Sequence, residues 1–193
     1  LRDSGACAVV TNAAGAAVLT ELRDSLPDLT TIYCIDGQAP GAIDLHAACA
    51  TQPTDFTAAD TFADDPAILI YTSGTTGAPK AFTLSHAKLG ANVRALVAER
   101  LIDSSDRVLL PLPLHHVYPF VVGMLTTLAT GAVLVLPEAI TGPRIVHALR
   151  AGQVTAMIGV PRLYTALLTN LQDRVSSAGR LAQLTFRCAL AVT

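Results

Sequence analysis

Charged residues are scarce in this chain. Lys, Arg, Asp and Glu make up 15% of the 193 residues, the formal net charge is −2, and no run of Lys or Arg occurs anywhere. Without a basic patch there is no electrostatic case for nucleic acid as a partner. Hydrophobic residues, by contrast, make up 51% of the chain. That share argues against disorder and provides enough apolar surface for a substantial core.

The sequence also lacks paired cysteines. Its four cysteines are Cys7, Cys34, Cys49 and Cys188, and no two of them form a C-x-x-C pair. We therefore expect neither metal ligation nor disulfides, because both need cysteines at suitable spacings. Unpaired cysteines are typical of a reducing compartment, so we expect a cytoplasmic protein.

One segment without charges is long enough to be tested as a membrane span. Residues 117–136 carry no Lys, Arg, Asp or Glu, but they include Pro119, Gly123 and Gly131. No Lys or Arg lies close to either end to fix an orientation in a bilayer. The stretch "ATGAVLVL" is typical of a turn followed by a strand. We therefore predict a buried helix and then a buried strand here, and no transmembrane segment.

Short β-branched runs alternate with longer helical patterns along the chain. Asn12 and Ser85 are predicted N-caps of two helices, and Pro161 is predicted to begin another. The predicted strands are 8–11, 31–35, 67–71, 80–86, 108–110, 132–136, 154–160 and 186–192, and the predicted helices are 13–25, 43–50, 87–100, 119–129, 143–151 and 161–171. This alternation predicts an α/β fold with a parallel, doubly wound sheet and flanking helices.

A dense cluster of small polar residues follows the strand predicted at 67–71. Residues 71–80 read "YTSGTTGAPK". Glycines bring backbone N–H groups close to an anion, hydroxyls add donors, and Lys80 adds a cation, so the pattern indicates a polyphosphate site. It is not a Walker A loop, because Gly74 and Gly77 are only three positions apart and Lys80 is followed by Ala81. A polar turn is the alternative interpretation.

The same ten residues resemble the phosphate-loop signature of the adenylate-forming superfamily, which includes acyl-CoA synthetases, firefly luciferase and the adenylation domains of peptide synthetases. All ten positions match, and Ala81 stands where the family usually has Gly. The resemblance implies that this loop binds the β- and γ-phosphates of ATP. The residues that inherit this role are Thr72, Ser73, Gly74, Thr75, Thr76, Gly77 and Lys80.

A second segment, "LPLPLHHVYPF" at 110–120, resembles the family segment that lies beside the acyl and adenylate sites. The resemblance implies that His116 is a catalytic residue and lines the substrate pocket together with Tyr118. On an extended chain His115 and His116 would point to opposite sides, so we expect only His116 to face the ligand crevice. A metal site built on both histidines is not expected, and no residue is matched to a metal ligand.

The resemblance covers nearly the whole chain and implies a ligase. Family members use ATP and Mg²⁺ to convert a carboxylic acid into an acyl-adenylate, and then transfer the acyl group to CoA or to the phosphopantetheine of a carrier protein. The stretch "PLHHVYPF" favours a fatty or other acyl acid over an amino acid. A non-catalytic nucleotide-binding module and a P-loop-like NTP hydrolase remain the alternatives.

The resemblance also implies an incomplete domain. The sequence stops at Thr193 on a predicted strand, whereas the loops after such strands complete a ligand crevice. We expect residues 1–193 to be the central part of the large N-terminal, AMP-binding domain, with the C-terminal domain and the magnesium ligands outside this chain. Such a piece is expected to be inactive alone, and its truncated face to favour self-association.

Overall fold

The structure is a computed structural model that describes residues 1–72, 79–179, 183 and 186. The chain divides into two compact units, Leu1–Thr61 and Phe62–Thr193. Five of the predicted phosphate-binding residues, Ser73 to Gly77, lie outside the described residues. The strand predicted at 186–192 also lies outside them, apart from Phe186.

The first unit is built on a parallel sheet of three strands with a helix packed against it. Its strands are β1 (Ala8–Thr11), β2 (Thr31–Cys34) and β3 (Ile43–Asp44), and its helices are α1 (Ala13–Glu21) and α2 (Leu45–Ala50). The predicted cap of α1 is confirmed, because the Asn12 side chain accepts a hydrogen bond of 2.8 Å from the Gly15 N–H. Ala16, Leu29 and Ile32 form the buried core of this unit.

The second unit contains a parallel sheet in which β6 lies between β7 and β8. Its elements are β4 (Pro66–Thr72), β5 (Lys80–Ser85), α3 (His86–Ala98), β6 (Arg107–Leu109), a π-helix (Pro119–Leu125) that continues into α4 (Thr126–Ala129), β7 (Val133–Val135), α5 (Gly142–Ala151), β8 (Ala156–Met157) and α6 (Pro161–Ser177). Leu109 of β6 packs with Ile145 and Ala148 of α5. The predicted α/β fold with parallel sheets and flanking helices is confirmed.

One strand pair differs from the parallel pattern. β4 and β5 pair antiparallel, with Ile70 opposite Phe82 and Thr72 opposite Lys80. The reason is the length of the connection, because residues 73–79 are too few for the crossover that parallel neighbours need. The described strands therefore form two parallel three-stranded sheets and one hairpin rather than one continuous sheet. The connection of this hairpin carries most of the predicted phosphate loop.

The uncharged segment 117–136 folds as predicted, into a helical stretch followed by β7. Its buried hydroxyls are satisfied within the segment: Thr126 donates to the carbonyl of Val121 at 2.9 Å and Thr127 to that of Gly123 at 2.5 Å. Within the described part of the chain, none of the helices combines the length and the apolarity that crossing a bilayer requires.

Candidate active site

The two described ends of the predicted phosphate loop face each other across the hairpin. Thr72 is the last residue of β4 and Lys80 the first of β5, and they are paired in register. The Thr72 hydroxyl donates to the Lys80 carbonyl at 3.3 Å, so the hairpin is closed at the point where the loop leaves it. The Lys80 side chain is exposed and has no carboxylate partner among residues 1–72 and 79–179.

The two histidines lie side by side, which contradicts the expectation that they point to opposite sides. Their ring centroids are 4.1 Å apart and the ring planes are tilted by 47°. The alternation rule fails because the chain is not extended here: it forms a turn in which the His116 N–H donates to the Pro113 carbonyl at 3.4 Å. The Phe120 N–H in turn donates to the His116 carbonyl at 3.2 Å, so the turn runs directly into the π-helix.

This histidine turn faces β4, the strand just before the predicted phosphate loop. A cavity of about 350 Å³ separates them, and it is lined by Ile68, Leu69, Ile70, Tyr71, Leu114, His115, His116 and Phe120. None of these lining residues carries a carboxylate, so the cavity does not repel an anionic ligand. The fold therefore brings the predicted active-site residue His116 to the strand that leads into the predicted phosphate loop. Both histidines reach this cavity.

Tyr118 lines a different cavity from His116. That cavity measures about 590 Å³ and lies between β5, α3 and the start of the π-helix. Its walls are mainly apolar, with Asn92 and Glu99 as the polar exceptions; the lining residues are Phe82, Leu84, Leu89, Asn92, Ala95, Leu96, Glu99, Val117, Tyr118, Val121 and Val122. The prediction that Tyr118 lines a substrate pocket stays a prediction, but the described residues do not place it in one cavity with His116.

The Tyr118 hydroxyl has a partner that sequence reasoning missed. It donates to the carbonyl of Gly159, in the loop that follows β8, over 3.2 Å. The partners are 41 residues apart, and no local pattern predicts such a pairing. A glycine near the end of the strand predicted at 154–160 was the one signal that other backbone or side chains could approach closely here.

The described residues contain no group of three or more His, Cys, Asp or Glu side chains placed to hold a metal ion. Two of the four cysteines in the sequence, Cys7 and Cys49, are exposed, and Cys34 is buried; these three are free thiols. The predicted magnesium ligands were expected outside this chain, and that expectation stays a prediction.

Comparison with known proteins assigns a family to the sequence. The family model described as "AMP-binding enzyme" matches residues 1–189. The chain is 35% identical over 138 residues to the acyl-CoA synthetase ALT10 of Alternaria alternata. The matched stretch covers 70% of this chain and 24% of the relative. It is also 31% identical over 175 residues to the human mitochondrial medium-chain acyl-CoA ligase ACSF2. Here the matched stretch covers 84% of this chain and 28% of the relative. The chain thus spans about a quarter of the length of these curated relatives.

Solved structures share this fold. ATP-bound MatB from Rhodopseudomonas palustris superposes with a TM-score of 0.73 at 28% identity, over 86% of this chain and 32% of that one. The ligand-free structure of MbtA from Mycobacterium smegmatis superposes with a TM-score of 0.78 at 26% identity, over the same shares. At these scores the arrangement of strands and helices described above is that of the family.

Proposed function

Because the chain belongs to the AMP-binding enzyme family, we propose that it is part of a ligase that activates a carboxylic acid with ATP. In this reaction a carboxylate oxygen attacks the α-phosphorus of ATP, which gives an acyl-adenylate and releases pyrophosphate. A thiol then attacks the acyl carbon, forms the thioester and releases AMP. The observation that carries the proposal is the cavity that His116 and β4 line together, β4 being the strand that leads into "YTSGTTGAPK".

The hairpin supplies the contacts to the phosphates in this proposal. The backbone N–H groups and hydroxyls of residues 72–77 would surround the β- and γ-phosphates, and Lys80 would add a positive charge. Catalysis by such a site depends mainly on positioning and on stabilising charge that develops in the transition state. ATP-bound MatB, a structural neighbour, supports ATP as the nucleotide.

The apolar cavity beside Tyr118 is the candidate pocket for the acid. Its volume of about 590 Å³ lies within the range of roughly 300–1,000 Å³ that small-molecule sites occupy. Apolar side chains from β5, α3 and the π-helix would pack against an acyl chain or a ring. The relatives include a medium-chain acyl-CoA ligase and a feruloyl-CoA synthase, so we propose a fatty acid or another acyl acid, with either an aliphatic chain or an aromatic ring.

The remaining partners are also part of the proposal. Magnesium would bind the ATP phosphates together with protein ligands outside this chain, as the family resemblance implies; one or two carboxylates are usual for such a site. The acyl acceptor would be CoA or a carrier phosphopantetheine. A cytoplasmic location and self-association of the isolated 193-residue piece remain hypotheses, testable by cell fractionation and by sedimentation.

The test is carboxylate-dependent exchange of pyrophosphate into ATP by the full-length protein that carries this chain. We expect exchange with a series of short to long acyl acids, and a loss of about 100-fold or more in Lys80→Ala if its charge stabilises the transition state. Lys88→Ala is the matched control, because Lys88 is an exposed lysine outside the loop, in the first turn of α3, and has no role in this site.

Three results separate the candidate functions. Exchange that requires a carboxylate supports the ligase. Steady release of inorganic phosphate without any acid supports a hydrolase instead. ATP binding without either reaction supports a non-catalytic nucleotide-binding module. An unchanged rate in Lys80→Ala would contradict the phosphate role of the hairpin.

A further inference from the structure

Two loops leave the same edge of the parallel sheet in the second unit. β6 and β8 are neighbouring parallel strands, so the chain after each one emerges at the carboxyl edge, where α/β folds bind ligands. The Ile158 N–H donates to the Leu109 carbonyl at 2.9 Å. This bond holds together the segments that follow β6 and β8, at the point where the two loops begin. Beyond that point one loop forms the histidine turn, and the other runs through Gly159 to α6.

Tyr118 joins these two loops a second time. Its hydroxyl donates to the Gly159 carbonyl over 3.2 Å. Tyr118 stands two residues after His116 and directly before Pro119, which is buried and begins the π-helix. Because the φ angle of proline is fixed and this ring is buried, the backbone at 118 is held on its C-terminal side. The hydrogen bond from the Tyr118 hydroxyl to Gly159 then ties the histidine turn to the loop after β8.

The loop after β8 is itself fixed by another tyrosine. The Tyr164 hydroxyl donates to the Met157 carbonyl at 3.0 Å, and the Tyr164 N–H donates to the Val160 carbonyl at 3.3 Å. A Cβ atom at Gly159 would lie 2.8 Å from the Tyr164 ring, so only glycine lets this ring pack on the loop. The loop is thus anchored to α6 without any contribution from Tyr118, and it can serve as the fixed partner of the Tyr118 contact.

We infer that Tyr118 is a positioning residue: its hydrogen bond to Gly159 ties the histidine turn to the β8 loop and so sets where the His116 ring lies relative to β4. In this role the hydroxyl does not touch substrate, although the tyrosine ring forms part of the wall of the apolar cavity. The inference deepens the proposed function and rests on it for the importance of His116. The geometric part, that Tyr118 holds the His116 ring in place, stands independently of the reaction.

The expected effect is moderate because Tyr118 is 42% exposed. A neutral hydrogen bond of this kind contributes a net ~1 kcal/mol, which corresponds to about a fivefold change in rate. Tyr118→Phe removes the bond and keeps the ring. We therefore expect kcat for acyl-adenylate formation to fall about fivefold, while KM for the acid changes less than about twofold, because the wall of the cavity is unchanged.

Tyr164→Phe is the matched control. It removes the same chemical group from a bond to the last residue of β8, Met157, just before the same loop, and this bond does not involve the histidine turn. Its ring still packs on Gly159, and the backbone bond to Val160 remains. We expect this variant to keep kcat within about twofold of the original protein.

The second measurement does not depend on activity. Carbon-13 labelling of the histidine rings allows the His116 ring signals to be followed by NMR, with His116→Gln used for assignment. We expect the His116 signals to shift and broaden in Tyr118→Phe and to stay unchanged in Tyr164→Phe. Should the protein show no exchange activity at all, the proposed function fails and the NMR comparison alone decides the inference.

Two outcomes would overturn the inference. In the first, the His116 signals are the same in Tyr118→Phe as in the original protein. In the second, Tyr118→Phe raises KM for the acid and leaves kcat alone, which would make Tyr118 a substrate-binding residue rather than a positioning one.

Discussion

Replacing Gly123 by alanine tests how tightly the π-helix packs on the sheet. An added Cβ at Gly123 would lie 2.5 Å and 2.9 Å from the two Cδ atoms of Leu110 and 3.2 Å from its Cγ. Leu110 is only 1% exposed, so it cannot swing into solvent to make room. Overpacking of this kind costs about 1–3 kcal/mol. For a chain of this length that corresponds to a fall in Tm of roughly 2–12 °C.

Gly90→Ala is the control for this prediction. Gly90 also lies inside a helix, α3, but an added Cβ there would meet only the end of the flexible Arg94 side chain, at 3.1 Å. Alanine is a better helix former than glycine by roughly 1 kcal/mol, so Gly90→Ala should leave the stability unchanged or raise it. Thermal unfolding followed by circular dichroism is the assay, since the chain contains no Trp for fluorescence.

A second variant identifies the clash itself. Leu110→Ala alone should destabilise the protein by about 2–5 kcal/mol through the space it leaves. Combined with Gly123→Ala, the added methyl group would occupy part of that space, so the double variant should lose less stability than the sum of the single variants. If Gly123→Ala melts at the same temperature as the original protein, or if the two losses simply add, the close packing of Gly123 on Leu110 is refuted.

Two smaller predictions concern a carboxylate and the paired histidines. The pKa of Asp103 is lowered because the Ser105 hydroxyl, and secondly the Ser105 backbone N–H, donate to its carboxylate at 2.5 Å and 2.7 Å. Ser105→Ala should raise the pKa of Asp103 in an NMR titration. A carboxyl whose pKa is lower in the folded than in the unfolded protein stabilises the fold at pH values above its unfolded pKa, and this contribution is lost as the pH falls through its folded pKa. The difference in unfolding free energy between the two proteins should therefore shrink below about pH 4. His115→Ala should slow adenylation a few-fold because the ring beside His116 is lost, whereas His115→Phe should restore the rate, since aromatic pairs contribute roughly 0.5–1.5 kcal/mol; equal rates in both variants would contradict the stacking argument.

Features that depend on neighbouring residues could be predicted from the sequence. Asn12 and Ser85 cap the helices they precede, and Pro161 begins α6, because a cap or a first-turn proline acts within one helical turn. The end of α6 could not be placed in the same way: it extends to Ser177, beyond the predicted residue 171, and no proline lies before that point to stop it.

The geometry of the site could be predicted only in part. The strand at 67–71 was predicted correctly, and the role of His116 stays a prediction, but residues 115–116 were treated as extended. The π-helix that begins at Pro119 was predicted only as a helix, because π and α geometry share the same apolar pattern. The side-by-side arrangement of His115 and His116 follows from the turn that precedes this helix. The turn contains Pro113, but at its first position, whereas proline favours the second position of a turn, so the pattern gave no clear signal for it.

The middle strand of the second unit explains why distant segments meet at one place. β6 pairs with β7 on one side and β8 on the other, and the chain that leaves it passes through buried Leu110 into the histidine turn. Leu110 packs against Gly123 of the π-helix, and the Ile158 N–H binds the Leu109 carbonyl. The histidine turn is therefore held at its start by packing and at its end by Tyr118. Since β4 faces this turn across a cavity, the position of the His116 ring depends on contacts at both ends of the turn and on the His115 ring beside it.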